Sequence, residues 1–292
     1  MTDAARRRYR ELQALARAEG RPADELMTLY ALEGFLSRLV RTDHRDTFVL
    51  KGGMLLAALH TRRPTRDIDV QALDFDIDIA HVLEVVDDVV TIDLVDGLRF
   101  DRERITAEPI RDHDDYPGVR VAIEAALATA VLKLKLDISV GDPITPDPEV
   151  VQVPRMLGGP SIAMLGFPLA MVLAEKVITA LERGTASTRW RDFADILLLC
   201  RAHDVNGDEL ARAVGAVAHH RGADLRPLTE VLDGFADQVQ DRWARWVSRS
   251  QLDDRLPDRL TEVLAVVEAF ADPVLTGEVA GRCWVAADGC WI

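Results

Sequence analysis

The sequence predicts an α+β fold, with a mixed β-sheet and flanking helices over residues 1–160 and a mainly helical domain over residues 161–292. Three observations predict it. Residues 131–140, "VLKLKLDISV", place Leu132, Leu134, Leu136, Ile138 and Val140 on one face and Lys133, Lys135, Asp137 and Ser139 on the other, the alternation of a half-buried strand. Residues 24–40 repeat their apolar side chains at helical spacing. From Pro168 onward the pattern is helical almost throughout, beginning with "PLAMVLAEKVITALERG", which has proline at its start and Gly184 at its end.

Along the chain, Leu26, Leu29, Tyr30, Leu32, Leu36 and Leu39 form the apolar stripe of an amphipathic helix. "TFVL" reads as a short buried strand that runs into Gly52 and Gly53. "MLLAALH" reads as a helix, which Arg62-Arg63-Pro64 breaks. "DIDVQAL" alternates as a strand, and a helix near 79–89 and strands near 91–95, 98–106 and 118–125 follow. The sheet is expected to end near "VVQVPRML", with the domain boundary in the Gly- and Pro-rich stretch "GGPSIAMLGF" at 158–167. There is no internal repeat and no low-complexity segment.

The chain has 292 residues, 48% hydrophobic and 29% charged, the balance of a soluble globular protein. No apolar run approaches the roughly 20 residues of a membrane span. The start, "MTDAARRRYRELQALARAEG", lacks the apolar core of a secretory leader, so no export is expected. Cys200, Cys283 and Cys290 have neither zinc-like nor redox-like spacing; they read as reduced, packed thiols, the last two flanking a turn at Asp288-Gly289. The expected compartment is the cytoplasm. A net charge of −14 argues against a general nucleic-acid coat protein. The charge is uneven, however: residues 1–66 carry a net +5 and residues 67–116 a net −12.

The chemistry gathers at "KGGMLLAALHTRRPTRDIDV", residues 51–70. Two glycines after a strand let a helix begin with exposed backbone N–H groups, a seat suited to phosphate. The following strand then presents Asp67 and Asp69 on one face. Paired carboxylates repel each other, but they suit Mg²⁺, which takes hard oxygen ligands and bridges to phosphates. Carboxylates at a surface edge are the plainer alternative. Asp137, on the polar face of the 131–140 strand, could complete a two-metal site or could instead pair with Lys133 or Lys135.

Gly52-Gly53, the 13-residue gap, Asp67-Ile68-Asp69 and a later strand carboxylate resemble the h-G-[GS]…D-h-[DE]-h pattern of the polymerase-β-like nucleotidyltransferase superfamily. More narrowly, "LKGGMLLAALHTRRPTRDIDV" is similar to the AbiEii group, the toxin partner in AbiE and MenT toxin–antitoxin modules. That group carries a lysine on a helix after the sheet and a later Arg-Asp on another helix. Here these fall on Lys176 in "LAEKVITAL" and Asp192 in "RWRDFADILLL", so the resemblance covers residues 46–200.

The resemblance implies transfer of NMP from an NTP to the 3′ end of tRNA, blocking translation, with a cognate AbiEi-like antitoxin as partner. It implies that Asp67, Asp69 and Asp137 hold Mg²⁺, and that Asp137 also helps activate the acceptor hydroxyl. Gly52, Gly53, Thr65, Arg66 and Lys176 would meet the nucleotide. Lys176 lies among Val172, Leu173, Thr179 and Ala180, so it either snorkels to solvent or points at an anion. Asp192 and Asp195 share a helix face; Asp195 is expected to pair with Arg191, leaving Asp192 to orient Lys176 or the nucleotide. The arginines of "RRPTR", with Arg189 and Arg191, suit triphosphate or acceptor phosphates. Two rivals stand beside this reading: the same chemistry on an antibiotic or a protein hydroxyl, and a non-catalytic NTP-binding interaction protein.

Overall fold

The computed structural model describes residues 2–61, 63–110 and 118–292. The chain divides into two compact units, one of Met1–Ala58, Arg62–Gly141 and Glu149–Gly166, the other of Leu59–Thr61, Asp142–Pro148 and Phe167–Ile292.

The first unit opens with helices α1 (Asp3–Glu19) and α2 (Ala23–Leu39). Strand β1 (Phe48–Lys51) leads directly into the short helix α3 (Gly52–Ala58). Strand β2 (Asp67–Ala72), helix α4 (Ile79–Thr91) and strands β3 (Leu98–Pro109), β4 (Gly118–Leu127), β5 (Ala130–Ser139), β6 (Glu149–Val153) and β7 (Ile162–Gly166) complete the unit. The strands form one sheet in the order β3-β4-β5-β2-β1-β7-β6. It is mixed: β2 runs parallel to β5 and β1 parallel to β7, while the other neighbours are antiparallel.

Strand alternation divides this sheet into two faces of different character. Ile68 and Val70 of β2, Leu134, Leu136 and Ile138 of β5, and Val119, Val121 and Ile123 of β4 are all buried. α2 packs on β5, α4 on β3 and β4, and α1 on α2 and β4, so the three helices cover this face. Burial of that area drives the unit's folding. The other face carries Asp67, Asp69, Lys133, Lys135 and Asp137. α2 is more than the amphipathic helix expected: Glu33, Ser37 and Arg38 are buried along with its leucines.

Two expectations need correction here. No strand forms at 91–95, where α4 gives way to a turn. The backbone acceptors there are claimed by buried side chains: Arg38 Nε donates to the Ile92 carbonyl at 2.9 Å, and the Tyr30 hydroxyl donates to that of Asp96 at 2.8 Å. The sheet also does not end near 157. Residues 162–166, expected to be linker, form β7 beside β1 in the sheet. Gly166 permits the fit, because a Cβ there would lie 2.7 Å from Val151 and 3.0 Å from Leu55.

The second unit contains α5 (Leu169–Arg183), α6 (Trp190–Ala202), β8 (Val205–Asn206), α7 (Gly207–Arg221), α8 (Leu228–Val231), α9 (Phe235–Arg249), α10 (Leu260–Leu275), β9 (Cys283–Val285) and β10 (Cys290–Trp291). The small three-stranded sheet β10-β9-β8 was not foreseen. Aromatic rings fix it in place: Phe270 lies 5.1 Å from Trp284 and 5.5 Å from Trp291, centroid to centroid. Both indole N–H groups are satisfied, donating to the carbonyls of Cys200 and Phe270 at 2.7 and 3.0 Å. Cys283 and Cys290 are exposed rather than packed, and all three cysteines are free thiols. Burial pushes the Cys200 thiol up to about 12, which keeps it protonated and unreactive. Among the described residues no helix is long and apolar enough to cross a membrane.

Candidate active site

β1 and β2 bring the conspicuous motif together. They pair antiparallel with Lys51 opposite Asp69, so the turn into α3 lies against the second carboxylate. Gly52 has φ +65°, and a Cβ there would fall 1.8 Å from Asp69 Oδ2. A Cβ on Gly53 would fall 2.6 Å from Thr65 Oγ1. The diglycine is therefore a matter of space as well as conformation: no larger residue lets Asp69 and Thr65 approach the helix start. Thr65, buried, donates its hydroxyl to Asp67 Oδ1 at 2.5 Å. That bond orients the first carboxylate.

The third carboxylate arrives through strand register. β2 and β5 are parallel with Asp69 directly opposite Asp137 and Asp67 opposite Lys135. Asp69 is thus flanked by Asp67 on its own strand and by Asp137 on the next. Its carboxyl is pushed up to about 6, first by burial and then by Asp67 and Asp137, against the opposing pull of Lys51 and Arg63. The negative charge outweighs the nearby cations.

Asp137 does not pair with Lys133 or Lys135, as the plainer reading held. β4 places Arg120 directly opposite it, and the guanidinium grips it two-pronged, with Nε–Oδ1 at 2.8 Å and Nη2–Oδ2 at 2.6 Å. Arg66 is exposed, and among the described residues its partner is a distant Asp24 carboxylate at 3.9 Å. Arg63 is buried, and Arg62 lies outside the described residues.

In the second unit, α5 and α6 pack together and set Lys176 against two carboxylates. Its ammonium donates to Asp192 Oδ1 at 3.0 Å and to Asp195 Oδ2 at 2.7 Å. All three side chains are largely buried, at 12%, 7% and 1% exposure, so neither snorkelling nor a surface pair describes them. Asp195 turns to Lys176 and not to Arg191. Arg189, at the N-cap of α6, reaches Asp192 Oδ2 at 2.8 Å, so among the described residues at least two cations meet the two carboxylates.

Sequence reasoning missed Lys51 and Arg120, two of the cations around the acidic cluster; Arg63 was expected near phosphate as one of the "RRPTR" arginines. Lys51 directly precedes the diglycine, a cue for its place beside the site. Arg120 could be found only by knowing the β4–β5 register.

A mixed sheet with two carboxylates on one strand, set against a diglycine turn on its neighbour, has the architecture of a nucleotidyltransferase domain. The family is narrower than that. The profile described as "Nucleotidyl transferase AbiEii toxin, Type IV TA system" matches residues 34–270, and the chain belongs to this family of toxin–antitoxin nucleotidyltransferases. Among solved structures, JHP933 from Helicobacter pylori superposes with a TM-score of 0.49 at 17% identity, over 88% of this chain and 94% of that one. A second H. pylori protein, described as a candidate nucleotidyltransferase, superposes with a TM-score of 0.49 at 16% identity, over 87% of this chain and 96% of that one. No curated protein matches the sequence.

Membership implies an NTP substrate, a divalent metal and an antitoxin partner. The donors fit such a metal in part. Asp67 and Asp69 are hard, adjacent oxygen ligands whose mutual repulsion a cation relieves. They do not form a complete cage: among the described residues no group of three or more Asp, Glu, His or Cys side chains encloses a metal position. A cation held there would take its remaining ligands from phosphate oxygens and water, as Mg²⁺ does in phosphoryl-transfer sites.

Proposed function

We propose that this toxin uses Mg²⁺ to transfer NMP from an NTP to the 3′ end of tRNA, releasing pyrophosphate and blocking translation. One observation carries the reading: Asp67 and Asp69 share a strand face beside the Gly52 turn, and Asp69 is held so uncomfortably that its carboxyl titrates at about 6. A half-buried carboxylate pair whose members repel each other is costly in a free-standing fold and useful in one that recruits a metal nucleotide.

Asp67 and Asp69 would hold Mg²⁺, and Thr65 keeps Asp67 in position through its 2.5 Å hydrogen bond. When bound, Mg²⁺ supplies charge neutralisation between the phosphates. Asp137 helps accept the proton of the acceptor hydroxyl. Arg120 must loosen its grip for this, because a carboxylate engaged by both guanidinium prongs is a poor base. Gly52 and Gly53 leave the backbone open for the nucleotide phosphates, with Arg66 and the Thr65 side chain beside them. Lys176 is assigned by the resemblance to the departing pyrophosphate. Its own surroundings support a cation held ready, its ammonium aimed by Asp192 and Asp195 and so spared the entropy of ordering a free lysine. The protein's contribution is mainly positioning and electrostatics.

The test is incubation of the purified protein with labelled NTPs, Mg²⁺ and total tRNA. Label appearing at tRNA 3′ ends, and absent in Asp69→Ala, is the expected result. Near-normal transfer in Asp69→Ala removes the site assignment. Label on an added aminoglycoside or on protein, with none on tRNA, replaces the acceptor while keeping the chemistry.

A further inference from the structure

The first unit contains a second polar cavity, about 180 Å³, lined by α1, α2, the turn before β3 and the segment after β6. It lies on the helix-covered side of the sheet, since α2 packs against the apolar face, away from Asp67 and Asp69. We propose that this cavity binds the phosphate group of a small phosphomonoester, separately from the acidic site.

Its charge-bearing walls are three arginines, Arg8, Arg41 and Arg155, with Tyr30 between them and Val95 and Leu157 as apolar rim. Two carboxylates, Glu33 and Asp96, also face it, but their oxygens are engaged. Asp96 accepts both prongs of the buried Arg38, at 2.6 and 3.1 Å, and the Leu98 N–H at 3.0 Å. Glu33 accepts the Met156 N–H at 3.0 and 3.2 Å. The arginines are less completely used, Arg41 giving Nη1 to the Ser37 carbonyl. Arg8 spends Nη1 on Glu11 and Arg155 spends Nη2 on Ser37 Oγ, each at 2.8 Å. Yet the Nε atoms of both are buried and have no hydrogen-bond partner. Two such donors at one cavity are unusual, because an unmet buried donor costs free energy that proteins generally avoid.

The donor set selects the ligand. Planar guanidinium forks match the oxygens of a phosphate, and Arg41 at the exposed mouth adds a third cation where the anion enters. The Tyr30 hydroxyl, pushed up to about 12 by burial and by Asp96, stays protonated and brings no negative charge. The volume is several times one water's share of the liquid, about 30 Å³, so a tetrahedral oxyanion fits.

The experiment is calorimetric titration of the full chain in EDTA, which keeps metal nucleotides off the acidic pair. Inorganic phosphate and a nucleoside monophosphate are titrated in separate arms, with acetate as the control anion. Saturable binding at about 1 mM or tighter is expected. Arg155→Ala and Arg41→Ala should each weaken it about tenfold or more, the loss expected for one charge-assisted contact. Arg41 is exposed, so its replacement leaves the fold intact and keeps the test valid if Arg155→Ala unfolds. Equal affinity in both phosphate arms identifies the bare phosphate as the ligand; tighter nucleotide binding identifies the nucleotide. Absence of saturable binding, equal binding of acetate, or binding that survives the arginine replacements overturns the proposal.

Discussion

The two ionic clusters of this toxin are built on opposite plans. In the first unit, Asp67, Asp69 and Asp137 crowd one sheet face with Arg120 spent on the last of them, and Asp69 is pushed up to about 6. In the second, Lys176 and Arg189 meet Asp192 and Asp195, charge against charge, at 2.7 to 3.0 Å. A cluster whose charges engage one another, as these do among the described residues, holds its members in place. In the first, Lys51 and Arg63 only partly offset what burial and the neighbouring carboxylates do to Asp69, and a bound cation would relieve that strain. The difference distinguishes a site that receives from a site that positions.

The largest effect that tests this contrast is Asp69→Ala. Under the proposed assignment transfer should fall to background, a loss of about a thousandfold or more, because a bound cation would lose one of its two anchors. Stability should not fall with it. Removing a carboxylate that its neighbours repel leaves the metal-free melting temperature unchanged or higher, as thermal unfolding at neutral pH would record. A marked drop in melting temperature would mean that the cluster is structural and the two plans are alike.

Lys176→Ala should behave in the opposite way. Transfer should drop about a hundredfold, and stability should fall by about 3–5 kcal/mol because Asp192 and Asp195 lose their shared cation while buried. Pairing Lys176→Met with Asp195→Asn should recover most of the stability and none of the activity. Denaturant unfolding and the transfer assay, run on the same preparations, separate the two readouts. Recovery of both would show that the lysine serves only the fold.

The pH dependence of the metal-free protein gives a smaller effect. Asp69 binds its proton more tightly folded than unfolded, with a folded value of about 6 against an ordinary 3.8. Between these values the native state carries more protons, so stability falls as pH rises from about 4 to about 6, and the cost persists above that. Its full size is at most about 3 kcal/mol. Asp69→Asn should flatten this slope. Mg²⁺ should raise the melting temperature at pH 7.5 and do little near pH 5, where the carboxyl is increasingly protonated. A slope unchanged in Asp69→Asn would place the titration on another group.

Most of the receiving site was legible in the sequence, and the positioning site only in part. Gly52, Gly53, Asp67 and Asp69 lie within one stretch of chain, where alternation and spacing decide which side chains share a face. The partner of Asp137 was not legible, because Arg120 reaches it across the β4–β5 register and register is a property of the folded sheet. The same holds for Asp195. Local helix spacing offered Arg191 one turn away, whereas the packing of α5 on α6 offered Lys176, largely desolvated and 2.7 Å from the carboxylate. β7 was missed because Gly and Pro precede it and it is only five residues long, too short for alternation to stand out from a linker.

The smallest effect concerns Arg66, which was assigned to the nucleotide with Thr65 yet differs from it in every physical respect. Thr65 is buried and bonded to Asp67, whereas the Arg66 side chain is 78% exposed and its contact with Asp24, itself 74% exposed, spans 3.9 Å. An ion pair of that kind contributes little, so Arg66→Ala should change stability by less than about 0.5 kcal/mol. If the guanidinium meets the triphosphate, KM for NTP should rise several-fold, less than about tenfold, with kcat unchanged, since a solvated contact is made equally in ground and transition states. The rise should shrink in high salt, which screens an exposed charge. Thr65→Ala should instead lower kcat, because it releases Asp67 from the hydrogen bond that orients it. If Arg66→Ala lowers kcat as much as Thr65→Ala does, the nucleotide end of the site lies closer to the solvent edge of the sheet than its buried carboxylates indicate.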